Sequence, residues 1–219
     1  MRTTFSKRNR FKKTKQSGAG SNSQPLGYTM TLWTRLAKFA YFETDRLYLR
    51  PFSFEDGESF YKIVSNPENL PFIFPALEDR NIAFSTMVEK FMRSPLGNWA
   101  LVDKYSEKMI GALCFEKVDE GQLSAELSYF LKKDHWRRGL MTEAVRTLVY
   151  LAFYEIGLKE ITIITHEENV ASQMVAKKAG LVQVAQYRGS DRYSHKTRNY
   201  LKFSLKRAEF SLEMYEENQ

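Results

Sequence analysis

The sequence predicts a single α/β domain of about seven strands flanked by helices. Three observations carry this. From residue 44 onward, short runs of β-branched and aromatic residues alternate with stretches of helical period. No segment repeats, and no second composition regime follows. With 219 residues and 43% apolar content, the chain is long enough to bury one real core.

The elements follow in order. Residues 1–29 carry Arg2, Lys7, Arg8, Arg10, Lys12, Lys13 and Lys15, and the first acidic residue of the chain is Glu43. This reads as a disordered basic tail. An acid-poor leader also fits an organelle transit peptide, and Met30 is an alternative start. Residues 30–42 place Leu32, Trp33, Leu36, Phe39 and Ala40 near one face, an amphipathic lead-in helix that packs on its own domain or a second copy. Membrane-surface or partner binding is the alternative use of such a helix. The domain proper spans 43–207. It opens with a strand at 46–52, then a helix at 53–66 whose Ser53 and Asp56 suit a capping box. A second helix covers 78–93. Strands follow at 97–104, 108–118 and 123–133. A long helix at 139–158 ends near Gly157, a strand covers 159–166, and a helix covers 169–180 between Asn169 and Gly180. Strands at 181–187 and 199–206 close the domain, and 208–219 is a C-terminal tail.

Composition excludes several classes. No stretch reaches the roughly 18 apolar residues of a membrane span. The net charge is +7, but seven basic residues lie in the tail, leaving 26 basic against 26 acidic. The folded part therefore lacks the footprint of a nucleic-acid-binding domain. The single cysteine, Cys114, sits in a strand and reads as a buried small hydrophobe, which fits a cytoplasmic protein without disulfides. His135, His166 and His195 are not at metal-ligand spacing, so no metal is expected.

The segment His135-Trp-Arg-Arg-Gly-Leu-Met-Thr-Glu-Ala144 lies where a strand hands over to a helix. Free N–H groups and the positive helix end suit an anion there. Gly139 permits a tight turn and close approach, and Arg137 and Arg138 add charge. An ordinary turn with solvated arginines is the alternative. The wider pattern resembles the GNAT superfamily of acyl-CoA-dependent N-acetyltransferases, whose pyrophosphate loop reads Gln/Arg-x-x-Gly-x-Gly/Ala. Here the loop is Trp136-Arg137-Arg138-Gly139-Leu140-Met141, so both outer positions depart. Met141-Thr142-Glu143-Ala144 is similar to the Rim-type branch, which modifies ribosomal-protein N-termini. ETDRLYLRPF (43–52), AELSYFL (125–131), ENVAS (168–172) and KKAGL (177–181) fall in that branch's order.

The resemblance implies a mixed sheet in which the strand ending at Leu131 splays from its neighbour. Acetyl-CoA lies in the gap as co-substrate, and a primary amine, such as a protein N-terminus, is the acceptor. It implies cofactor binding by Tyr129, Phe130, Leu131, Arg137, Arg138, Gly139, Leu140, Met141, Thr142, Asn169 and Ser172. The family's thiolate-protonating tyrosine is replaced by Ala176, and Ser172 is the substitute that the Rim-type branch implies. Glu126 lies on the strand face opposite Ala125, Leu127 and Tyr129. Among apolar neighbours it would take up an amine's proton readily, and a cross-strand or loop-anchoring carboxylate is the structural alternative. The helices at 53–66 and 78–93 and the loop 187–199 would flank the acceptor. Glu78 and Asp79 could meet a cation but suit a helix N-terminus, and Arg188, Arg192, His195, Lys196 and Arg198 make the late loop basic. A homodimer is a possible assembly. A non-catalytic acyl-CoA-binding module, or small-amine acceptors, remain the rival readings.

Overall fold

The computed structural model describes residues 30–191 and 193–211. The basic tail at 1–29, Arg192 and residues 212–219 lie outside the described residues. Eight strands form one sheet: β1 (Phe42–Glu43), β2 (Leu47–Arg50), β3 (Asn98–Asp103), β4 (Met109–Asp119), β5 (Ser124–Leu131), β6 (Glu160–His166), β7 (Val182–Ser190) and β8 (Thr197–Lys206). Their spatial order is β1-β2-β3-β4-β5-β6-β8-β7. Neighbours run antiparallel except β5 and β6, which are parallel. The two-residue β1, too short for a periodicity signal, raises the count above the expected seven.

Five α-helices flank the sheet: α1 (Leu32–Lys38), α2 (Gly57–Val64), α3 (Arg80–Met87), α4 (Leu140–Leu151) and α5 (Val170–Lys178). The strand centres are apolar on both sides because both faces are covered. In β3, Trp99 and Leu101 enter the core shared with α1, α4 and α5, while Ala100 and Val102 enter the core shared with α2 and α3. The second core is aromatic. Phe52 stacks on Phe91 at 4.6 Å, and Phe60, Phe91 and Phe130 meet edge to face. Cys114 is buried there, which pushes its thiol far above the ordinary range.

The helix ends obey local chemistry. Ser53 and Asp56 form the capping box, and Asp56 also takes a two-pronged ion pair from Arg50 at 2.8 Å per contact. Helix α1 starts at Thr31, whose hydroxyl accepts from the Thr34 N–H, and it buries Leu32 and Leu36 in the first core. Trp99 Nε1 donates to the Phe39 carbonyl just past its end, at 3.0 Å. The long helices depart from the expected regular period. Helices α3 and α4 each widen to a π turn in their last segment, Val88–Met92 and Ala152–Ile156. The second ends at Gly157, in the left-handed conformation that glycine supplies.

Candidate active site

Strands β5 and β6 pair for only four residues, from Ser124 opposite Glu160 to Leu127 opposite Ile163. Beyond that they part. Ser128–Leu131 stay with β4 on one side, and Ile164–His166 stay with β8 on the other. A V-shaped opening results, with unpaired backbone along both inner edges. A main chain left unpaired inside a sheet is costly, so a partner there is to be expected. An extended molecule carrying amide groups could pair with it as a strand does.

At the mouth of the V, β5 passes into the loop that ends in α4. Two residues of this loop are left-handed, Arg137 at φ 59° and Gly139 at φ 76°. For arginine that conformation is uncommon and costs strain. The pair turns the chain sharply into α4, and Leu140 and Met141 drop into the core, 5% and 6% exposed. The bulk of Met141, a departure from the family loop, therefore sits inside the protein and not on the face of the turn. Trp136, the other departure, donates its Nε1 hydrogen to the Leu131 carbonyl at 2.7 Å and packs on the core. Arg137 and Arg138 stay exposed beside the helix start.

The loop is braced from below by residues that sequence reasoning missed. Glu143, in the first turn of α4, accepts from the Arg46 N–H at 3.0 Å and from Arg46 Nε at 2.7 Å, and also from the Thr44 hydroxyl. Arg46 donates onward to the Arg138 carbonyl at 2.8 Å. Burial alone would raise the Glu143 pKa, but these hydrogen bonds outweigh it and hold the carboxyl below its ordinary value. Both partners stood in motifs already noted, ETDRLYLRPF and MTEA, but nothing in the sequence said that they meet. On the other side, buried Asn69 accepts from the Lys133 N–H at 2.7 Å and donates to the Ile63 carbonyl at 2.8 Å, tying the end of β5 to the segment after α2.

Asn169 caps α5, its side chain accepting from the Ser172 N–H at 3.1 Å. Ser172 is buried, and its hydroxyl meets the Tyr129 hydroxyl at 2.9 Å instead of serving only its own helix. Tyr129 projects from the splayed part of β5, so this pair sits on the α4/α5 side of the V. Burial pushes the Tyr129 phenol up to about 12, with the Ser172 bond working the other way.

The opposite side of the V carries Glu126 and Phe130. The apolar surroundings expected for Glu126 are not there. Its carboxylate lies 3.5 Å from Lys117 Nζ on β4. The cause is a bulge between Phe115 and Lys117, which sets Lys117 directly opposite Glu126. Glu126 also sits in the paired, closed part of the V, across from Thr162. Asp79 caps α3 by accepting from the Ile82 N–H at 3.0 Å, which settles its role as a helix N-terminus. A cavity of about 350 Å³ lies between residues 67–76 and the β7–β8 loop. The described residues hold no cluster of side chains suited to a metal ion and no helix long and apolar enough to cross a membrane.

Residues 46–182 match the acetyltransferase (GNAT) domain family. The chain belongs to that family. As a GNAT protein it is an acetyl-CoA-dependent N-acyltransferase. It is 25% identical to the uncharacterised N-acetyltransferase YoaA of Bacillus subtilis (strain 168) over 146 residues, covering 65% of this chain and 82% of that protein. Among solved structures, its fold is similar to Mycobacterium smegmatis RimJ in complex with CoA-disulfide, at TM-score 0.67 and 16% identity, over 78% of this chain and 86% of that one. It is similar too to the microcin C7 self-immunity acetyltransferase MccE in complex with acetyl-CoA and AMP, at TM-score 0.66 and 17% identity, over 74% and 93% of the two chains. Both solved structures share the fold of this chain.

Proposed function

We propose that this enzyme transfers the acetyl group of acetyl-CoA to a primary amine by direct attack in a ternary complex, and that the amine is a protein N-terminus of the kind ribosomal proteins present. The observation that carries the reading is the V between β5 and β6 with a left-handed glycine loop at its mouth. The groups present suit acetyl-CoA. Gly139, Leu140, Met141 and Thr142 offer backbone N–H groups to the pyrophosphate, with Arg137 and Arg138 supplying charge. The unpaired edge of Tyr129, Phe130 and Leu131 suits the pantetheine amides, and Asn169 stands near the same opening as a capping residue with a further hydrogen bond to give. Bound there, acetyl-CoA supplies an activated thioester. Ser172, joined to Tyr129, is placed to give a proton to the departing thiolate. A thiol is a fair leaving group, so one weak acid suffices. Glu126 keeps a candidate role as proton acceptor from the closed end of the V, provided that Lys117 releases it.

Small amines such as a polyamine or an antibiotic form the second acceptor class. The cavity of about 350 Å³ favours this, since it is of a size that holds a small ligand. Residues 43–207 form the catalytic domain in this reading, with 1–29 a basic tail, 30–42 a lead-in helix and 208–219 a C-terminal tail. The setting is cytoplasmic and the candidate assembly is a homodimer, which light scattering would read directly.

Calorimetry with acetyl-CoA on the wild type and on Gly139→Asp tests the cofactor reading. The added carboxylate stands where pyrophosphate should approach. Micromolar binding by the wild type and none by the variant is the expected result. Absence of binding in both would withdraw the enzyme's proposed site.

A further inference from the structure

The cavity on the far side of the V contains a group that the acetyl-transfer reading does not use. His166 is the last residue of β6 and alternates to the same face as Thr162 and Ile164, away from the buried Ile161 and Ile163. Its side chain is 11% exposed, and Nε2 lies 3.5 Å from Asp191 Oδ2. That separation is too long for a good hydrogen bond yet short for an ion pair. Nδ1 is buried with no partner among the described residues, where buried ring nitrogens normally have one.

Its surroundings place it over the opening. The segment 70–76 crosses the V on this face, with Phe74 against Phe130 of β5 at 6.3 Å and Phe72 against His166 of β6 at 5.5 Å. Leu70, Ile73 and these two rings supply the apolar wall of the cavity, while His166, Asp191 and Glu168 supply its polar floor. Tyr200 of β8 packs on the imidazole at 4.7 Å. The charged groups facing His166 come from three places. Asp191 and the hydroxyl of Tyr193 belong to the β7–β8 loop, Arg198 to β8, and Glu168 to the turn after β6, where Arg198 pairs with it at 3.6 Å. Asp191 is the carboxylate that lies against the ring, at 3.5 Å. Its other oxygen accepts from the Tyr193 and Ser194 N–H groups at 3.1 and 2.6 Å, which fixes it and keeps it ionised.

We infer that His166 is the base of this enzyme: the acceptor amine enters through the cavity walled by Phe72 and Phe74, and the imidazole, positioned by Asp191, takes its proton. The inference rests on the acetyltransferase reading and deepens it. In the step, the amine nitrogen bonds to the thioester carbonyl carbon and the carbon–sulfur bond breaks. The proton lost by the neutral amine passes to His166 Nε2, the CoA thiolate takes a proton from the Ser172 hydroxyl, and the Ser172–Tyr129 pair is reprotonated from solvent. The imidazolium finds its counter-charge in Asp191 and returns its proton to solvent. An ammonium arriving first meets Asp191, which favours its entry, and gives one proton to water before it attacks as the neutral amine, while the aromatic wall selects an amine carried on an apolar body.

The test uses the full chain, acetyl-CoA, and two acceptors, 2-phenylethylamine and a short peptide with a free N-terminal serine followed by phenylalanine. Initial rates are measured across pH for the wild type, His166→Gln, Asp191→Asn and Glu126→Gln, with acetyl-CoA affinity measured by calorimetry in parallel. The amine's own ionisation is common to all and cancels in the comparison. For His166→Gln, kcat falls by about 100-fold or more, the size of a lost general base. The acid limb of its profile disappears, and acetyl-CoA affinity is unchanged. Asp191→Asn lowers kcat by about 10-fold, because the imidazolium has lost its counter-charge. Glu126→Gln leaves the limb in place. If His166→Gln keeps the wild-type rate and profile, the inference is wrong and the acetyltransferase reading stands. If the limb vanishes in Glu126→Gln instead, the base is Glu126. If the wild type acetylates neither acceptor while binding acetyl-CoA, the cavity is not the entrance for such amines and the inference falls. If it binds no acetyl-CoA, the underlying reading falls with it.

Discussion

Ser172 and Tyr129 show how one contact changes the meaning of a residue. A serine in the first turn of a helix ordinarily bonds its own backbone. Here its hydroxyl turns to a phenol that burial keeps protonated up to about 12. The pair therefore holds its proton across the working pH range, as a donor to a thiolate must. Ser172→Ala is expected to lower kcat by about 10- to 100-fold with little change in acetyl-CoA affinity, and Tyr129→Phe to lower it less, since the serine remains. Steady-state kinetics beside calorimetry reads both. Loss of affinity without loss of kcat would assign the pair to binding instead. Asp56 makes a different kind of residue-scale statement. It is 5% exposed and its charge is matched by Arg50. Asp56→Ala leaves that guanidinium without its partner and removes a cap, so the protein should lose about 3 kcal/mol in urea unfolding.

Among the elements, the α4 entry depends on a strand far away in the chain. The Thr44–Arg46–Glu143 brace holds the loop carbonyl and the first helical turn together. Because the Glu143 carboxyl lies below its unfolded value, its stabilisation is fully present above about pH 4.5 and is lost as pH falls through the lowered folded value. Glu143→Gln should therefore be less stable than the wild type at neutral pH, and the two should converge in acid. Chemical denaturation at both pH values would show it, and a constant gap would remove Glu143 from the linkage. Asn69 does similar work between the segment after α2 and the end of β5. Asn69→Ala costs about 1–3 kcal/mol by stranding a buried N–H and a carbonyl, and it should loosen acetyl-CoA and acceptor together.

For the molecule as a whole, the alternation of strand and helix was legible because both periods are strong and the caps are local. Ser53 with Asp56, Asn169 and Gly157 all mark ends that the structure keeps. The turn into α4 was legible for the same reason, since its glycine and the helix start that follows it lie within ten consecutive residues. What was not legible depends on distant pairing. Register decides that Lys117 faces Glu126, through a bulge that no periodicity announces. The meeting of Arg46 with Glu143 and the crossing of Phe72 over His166 likewise follow from the closed sheet. The cavity proposed for the acceptor was thus not readable in the sequence, being assembled from the segment 67–76, the end of β6 and the β7–β8 loop.

The V has a consequence in time. Its second wall, β6, touches the first along only four residues, but it is held along its whole length by β8, which ends at Lys206. A ribosome releases that strand only after everything from β1 to β7 has been made. Until then β6 has one short neighbour and an open edge, and the slot lacks a firm side. A nascent enzyme is therefore silent until its final hairpin docks, however early its glycine loop and long helix have formed. Chains arrested before Thr197 should not be retained on immobilised CoA, and chains carried past Lys206 should be.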